Sequence, residues 1–292
     1  MSFLSSNEWA MPTLKRILIP LQGFPAEKTS LDLGFSLAEN SKAMVSLLHC
    51  KERIRRSKKS LLTQLEKQAN SLSKHLDVSY DIEFVKRVRA SDAILKSSND
   101  NCDLVVLSAA HSSDHKQLLG STARRVARKS EIPVLIIASW QDELKEYKEP
   151  LLRKILLPIR HTKKDLAALR LAAVLKQSSA GKDAELIALN LTHFSQVEMK
   201  SGMDAPEIKL QRELFMDDIS IFSEQSGLKV TPKHVAAKDI CEAAVEIAAE
   251  EDVDLIILGA QKKPGRFRNT LGQVSYKIAK ESKSPVVITF IP

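Results

Sequence analysis

Cysteine is scarce: Cys50, Cys102 and Cys241 are the only three in 292 residues, and no CxxC pair occurs. Scattered single thiols point to buried cysteines in a reducing compartment, so a cytoplasmic protein is expected. Long apolar runs are missing as well. Nothing approaches the roughly 18–20 consecutive apolar residues that a membrane-spanning helix needs. The opening stretch MSFLSSNEWAMPTLKR has no long apolar core and no small-residue cleavage site, so no secretory signal is expected. The chain also has no nucleophile elbow, Walker motif, paired catalytic carboxylates or HExxH. No catalytic residue is therefore assigned, and a non-enzymatic protein is expected.

What the chain does have is positive charge, +8 overall. A basic balance fits nucleic acid, a membrane surface or phosphate ligands as partners. The basic runs Lys51–Arg56, Arg124–Lys129 and Lys262–Arg268 are short and carry one interleaved aromatic, Phe267. Nucleic-acid binding calls for a clustered basic face with stacking aromatics, so it is not expected here. With 43% apolar and 27% charged residues, the chain has the balance of a globular protein with a real core.

The dominant feature is a repeat. Segment 118–137 reads LLGSTARRVARKSEIPVLII and segment 270–289 reads TLGQVSYKIAKESKSPVVIT. Aligned without gaps they share seven identities in twenty positions: Leu119/Leu271, Gly120/Gly272, Ala127/Ala279, Ser130/Ser282, Pro133/Pro285, Val134/Val286 and Ile136/Ile288. Average residue usage gives about one by chance. Two domains follow, residues 15–138 and 153–292, with an N-terminal extension 1–14 and a polar linker 139–152.

Hydrophobic patterning places the same elements in each half. In the first half, strands are read at Arg16–Pro20, Ala43–Cys50, Tyr80–Val88, Asp103–Ala109 and Pro133–Ala138. Helices fall at Lys28–Lys42, Ser57–Asp77, Ser91–Asn99 and Gly120–Ser130. The first helix puts Leu31, Phe35, Leu37 and Ala38 on one side, and Ser91 is read as the cap of the third. In the second half, strands are read at Lys154–Pro158, Ala184–Leu191, Leu228–Val235, Asp254–Gly259 and Val286–Ile291. Helices fall at Lys163–Ser178, Pro206–Ser226, Asp239–Glu251 and Leu271–Ser282. Strand–helix alternation with near-continuous Val/Ile/Leu strands predicts an α/β fold of two doubly wound, parallel-sheet domains. Ligands in such sheets bind beyond the strands' carboxyl ends, at the topological switch point.

The strand ending LLHC, the apolar strand DLVVLS and the run LGSTARRVARKSEIPVLII resemble the universal stress protein family. KILLP, DLIILGAQK and LGQVSYKIAKESKSPVVIT carry the same resemblance in the second half. The chain is thus similar to the tandem members, with two such domains in one polypeptide. The resemblance implies an adenine-nucleotide alpha-hydrolase-like fold, five parallel strands per domain in the order 3-2-1-4-5. It also implies an internal pseudo-dimer joined through the last strands, 133–138 against 286–291. A stress-response or regulatory role is implied, with an unknown protein partner such as a transporter or signalling protein, and with homodimer formation open.

ATP-binding members of that family use an Asp after the first strand, a backbone contact at the end of the second, and G-x2-G-x9-G-[S/T] after the fourth. Glycines let backbone N–H groups approach phosphate, and the helix that follows favours anions at its N-terminus. By that resemblance, the first domain places Gln22 at the Asp position and Cys50 at the adenine side. Ser108 and His111 stand for the glycine pair, with eight residues from His111 to Gly120, and Gly120-Ser121-Thr122 keeps the end of the motif intact. The second domain places Arg160 at the Asp position and Leu191 at the adenine-side strand end. Gly259 keeps the first glycine, Lys262 replaces the second, the nine-residue spacing to Gly272 is kept, and Gln273 replaces Ser/Thr. Gly120–Thr122 reads either as a phosphate site, with ATP the ligand of the first domain, or as an ordinary helix start. Arg160 suits an anionic small ligand other than ATP. His111 and His115, with Asp114 between them, lie in a loop with no third ligand, so no metal is assigned. His161 and His193 follow the first and second strands of the second domain.

Overall fold

The computed structural model describes residues 14–22, 27–51, 59–109, 119–138, 152–159, 163–178, 181–193, 206–261 and 273–291. The first half runs β1 (Arg16–Leu21), α1 (Glu27–Ser41), β2 (Met44–Lys51), α2 (Lys59–Leu76), β3 (Tyr80–Lys86), α3 (Ala90–Asn101), β4 (Leu104–Ser108), α4 (Ser121–Lys129) and β5 (Val134–Ala138). The second runs β6 (Lys154–Ile159), α5 (Lys163–Gln177), β7 (Glu185–His193), α6 (Pro206–Ser226), β8 (Val230–Ala237), α7 (Ile240–Glu250), β9 (Leu255–Gln261), α8 (Gln273–Glu281) and β10 (Val286–Ile291).

All ten strands form one sheet in the order β3-β2-β1-β4-β5-β10-β9-β6-β7-β8. Each half therefore has the order 3-2-1-4-5, all parallel, and the halves meet where β5 and β10 pair antiparallel. The join is self-complementary. Ile136 pairs with Ile288, its own counterpart in the repeat, while Val134 pairs with Phe290 and Ala138 with Val286. A pseudo-two-fold axis passes between the two isoleucines, as in an isologous dimer interface.

Strand side chains alternate between two cores, one on each face of the sheet. Ile17, Ile19 and Leu21 enter the first core and Leu18 the second; Ile155 and Leu157 enter the first and Leu156 the second. Helices α1, α2, α5 and α6 cover the first core, and α3, α4, α7 and α8 the second. Each core runs through both halves without a break.

Helix α1 departs from the one-sided pattern expected of it. Besides Leu31, Phe35, Leu37 and Ala38, it buries Ser30, Leu33 and Ser36. The cause is α5, which lies against α1 across the join and buries nearly all of residues 165–175. A helix sheathed on several sides tolerates apolar residues all round. Gly34 brings α1 close to β1, since a Cβ there would collide with Cδ1 of Ile19.

Ser91 is not the cap of α3. Arg89 holds the N-cap position in an extended conformation without a side-chain cap, and its carbonyl accepts from the N–H groups of Asp92 and Ala93. Ser91 lies inside the first turn, buried, with no hydrogen-bond partner for its hydroxyl. In the second half Asp239 caps α7, accepting from the N–H groups of Cys241 and Glu242 at 2.9 and 3.1 Å.

Two scaffold devices recur in both halves. Oδ2 of Asp103 accepts from the backbone N–H groups of Lys15 and Arg16 at 2.7 and 2.9 Å. Oδ2 of Asp254 accepts from those of Arg153 and Lys154 at 2.8 and 3.0 Å. Each aspartate precedes the fourth strand and ties down the start of the first. At the ends of α4 and α8, Ser130 and Ser282 each close a turn on the residue two positions on, donating to its carbonyl and accepting from its N–H. Pro133 and Pro285 then offer carbonyls to Val105 and Ile256.

Candidate functional site

The switch point of the first half lies between β1 and β4, whose outgoing helices α1 and α4 cover opposite faces of the sheet. Gln22, Cys50, Ser108 and Gly120 gather at this carboxyl edge, since β2, β1 and β4 are neighbours. His111 lies outside the described residues. In the second half Leu191, Gly259 and Gln273 belong to the equivalent edge, while Arg160, Lys262 and Gly272 lie outside the described residues, as do Asp114, His115 and His161. His193, the last residue of β7, is exposed.

The mouth of the first crevice is tied by the chain's own groups. The N–H of Gln22 donates to Oε1 of Glu27 at 2.8 Å, and Glu27 is buried in the first turn of α1. The Ser108 hydroxyl, where the binding motif has its first glycine, meets the buried Ser30 hydroxyl of α1 at 2.5 Å. In the second half the corresponding groups are Gly259, without a side chain, and Leu166, the fourth residue of α5 as Ser30 is of α1. The hydroxyl bridge has no counterpart there. Sequence reading missed Glu27 and Ser30. The one signal for Glu27 is an acid at a helix start, favoured by the helix dipole.

Gly120 is the N-cap of α4 with φ −57° and ψ 162° and makes no side-chain cap hydrogen bond. Ser121 is exposed and Thr122 half-buried. Extended backbone at Gly120 is open to any residue, so the left-handed freedom of glycine is not what the position uses. Behind this start, Arg125 reaches Oδ1 of Asp92 on α3 through Nε at 3.2 Å and Nη2 at 2.7 Å. Lys277, its counterpart on α8, reaches Oδ2 of Asp239 at 2.6 Å. Lys277 together with the two backbone donors holds the Asp239 carboxyl down at about 2. Gln273 opens α8 as an exposed residue.

Leu191 does not end its strand. β7 continues through Thr192 to His193, paired with β8 as far as Ala237. The extra ladder hydrogen bonds to β8 carry the strand on, and Leu191 sits buried in the second core. Cys50, its counterpart, is half-buried and packs against the same core.

On the other face, His49 of β2 is buried and stacks on Phe84 of β3 at a centroid distance of 5.1 Å. Its Nε2 has no hydrogen-bond partner and lies 3.7 Å from Oε1 of Glu66 on α2. Burial pushes its pKa down, and Glu66 opposes the shift. Asp32 on α1 accepts from Nε2 of Gln68 at 2.7 Å, and burial raises its pKa to about 6. In the second half the equivalent strand positions hold Asn190 and His234. Asn190 donates to the Ile159 carbonyl at 3.1 Å. Thr192 donates to Oε1 of Gln211 at 2.9 Å, leaving its oxygen to accept from Nε2 of His234 at 3.0 Å. The two edges thus carry different polar chemistry on one framework.

Among the described residues no cluster of three His, Cys, Asp or Glu side chains is placed to hold a metal ion. No helix among them is long and apolar enough to cross a membrane.

The fold defines a class: two doubly wound α/β domains sharing one sheet, each with a topological switch point at its carboxyl edge. Within that class the chain belongs to the universal stress protein family, whose sequence model matches residues 13–138 and again 152–289. A universal stress protein from Archaeoglobus fulgidus DSM 4304 is similar in structure, with TM-score 0.61 and 17% identity over 94% of this chain and 97% of that one. A putative universal stress protein from Pseudomonas aeruginosa UCBPP-PA14 gives TM-score 0.63 and 14% identity over 95% and 94%. The cytoplasmic domain of a prokaryotic cation chloride cotransporter gives TM-score 0.57 and 15% identity over 94% and 95%. No curated protein matches the chain in sequence.

Proposed function

We propose that the chain is a cytoplasmic stress-response or regulatory module, without enzymatic activity, whose two nucleotide sites have degenerated. One observation carries this reading. In the first half the hydroxyl of Ser108 occupies the position of a motif glycine and is bonded to Ser30. Backbone approach to phosphate requires that position to be free of a side chain. The remnant Gly120-Ser121-Thr122 then serves as a helix start.

Calorimetric titration with millimolar ATP tests the reading. No binding heat and no ATP turnover are expected of the wild-type chain. The double variant Ser30→Ala, Ser108→Gly, which clears the bridge, is expected to gain measurable nucleotide affinity. Saturable ATP binding by the wild type, with phosphate release above background, would instead make the chain an ATP-binding sensor with weak hydrolysis.

A second reading, in which a transporter or signalling protein is the regulated partner, is favoured by the continuous ten-stranded scaffold. The fold over 94% of the chain is similar to that of the cotransporter domain. It predicts a complex whose strength ignores ATP.

A further inference from the structure

Among the described residues, five large apolar side chains are exposed: Phe84, Val88, Leu210, Leu214 and Met216. They fall into two groups at opposite ends of the sheet. Phe84 lies on edge strand β3, with Val88 just past its end, and α6 lies over β7 and β8 at the other edge.

Charge separates the groups further. Phe84, 64% exposed, and Val88 stand among three exposed bases, Lys86, Arg87 and Arg89, and one exposed acid, Glu83, which accepts from Ser97 of α3. Leu210 and Leu214, 56% and 54% exposed, are one helical turn apart. Their neighbours three and four positions on are Glu213, Asp217 and Asp218, which share their helix face. The counterpart helix α2 shows how unusual this is. Among its described positions the exposed ones, Thr63, Gln64, Lys67, Asn70, Ser71, Lys74 and His75, carry no large apolar side chain.

We propose that these two patches dock on each other between two copies of the chain, the basic apolar edge of one first half on the acidic apolar stripe of another's second half. The two patches are alike in the apolar area at their centres and opposite in the charge at their rims. The chain carries +8 overall, so two copies repel at long range. Electrostatic attraction between copies therefore needs a locally acidic surface, and the Leu210–Asp218 face of α6 supplies one. The contact is heterologous, pairing two different surfaces. Apolar side chains at the centre supply the binding energy, and the charged rim fixes partner and register and weakens with salt.

Sedimentation of the full chain across a concentration series, at low and high salt, tests this. Reversible self-association that weakens with salt is expected. Leu214→Lys and, separately, Phe84→Asp are each expected to raise the dissociation constant about tenfold or more. Val88→Asp does the same without touching the ring stacked on His49. Mixing the Leu214→Lys and Phe84→Asp proteins restores association, because one copy keeps the basic patch and the other the acidic stripe. A chain that stays monomeric at millimolar concentration and low salt overturns the proposal. So does association that both variants leave unchanged, or a mixture that fails to complement.

Discussion

The two halves share a scaffold and differ at their carboxyl edges, and the line between likeness and difference follows what each residue does. Ala127 and Ala279 fill the second core, Ser130 and Ser282 close the same turn, and Pro133 and Pro285 feed the same ladder. Ile136 and Ile288 meet at the pseudo-two-fold. At the carboxyl edges the correspondence ends: Ser108 against Gly259, His49 against Asn190, Phe84 against His234. Packing constrains a residue through every neighbour, whereas an edge residue answers only to what it binds.

Breaking the join should give the largest effect. Ile136 and Ile288 are fully buried, so Ile136→Ala and Ile288→Ala are each expected to cost about 3 kcal/mol in denaturant unfolding. Their similarity is the point, because equivalent positions on a two-fold should cost alike. A large disparity would mean that the halves contribute unequally to the join. Next come the strand clamps. Asp103→Ala and Asp254→Ala each leave two backbone N–H groups without their acceptor, at about 2 kcal/mol apiece.

The fold was legible because its signals are local and redundant. Apolar runs such as LVVLS and LIILG read as buried strands whatever surrounds them, and Pro206–Ser226 and Val286–Ile291 appear with the bounds expected of them. The burial of α1 on several sides was not legible, since α5 is far along the chain and nothing in Glu27–Ser41 announces it. The same holds for the Ser30–Ser108 bridge, where two ordinary serines are 78 positions apart. Ser91 misled because serine is a good cap, yet the cap position falls two residues sooner, at Arg89, and the hydroxyl is carried inward. The clamping aspartates open the runs DLVVLS and DLIILG, but a lone Asp before a strand does not reveal which backbone it will hold.

Two finer predictions sharpen the comparison where the halves differ. Asp32, the sixth residue of α1, corresponds to Ala168 in α5. Burial raises its pKa from 3.8 to about 6, so the folded state favours the protonated carboxyl. The contribution is fully present below pH 3.8 and is lost as pH rises through 6. Asp32→Asn should therefore stabilise the protein at neutral pH by about 1–2 kcal/mol, with the gain vanishing in acid near the unfolded pKa, as unfolding curves at the two pH values would show. The smallest effect concerns helix starts. Asp239→Ala should lower the unfolding midpoint slightly, because α7 loses its cap, while Arg89→Ala leaves it unchanged, because α3 has no side-chain cap to lose.

Under the proposed function, two copies of this fold do not make two nucleotide sites. Mass spectrometry of small molecules released from freshly purified, denatured protein tests it most directly. No stoichiometric adenine nucleotide is expected. One ATP or other adenine nucleotide per chain would contradict it.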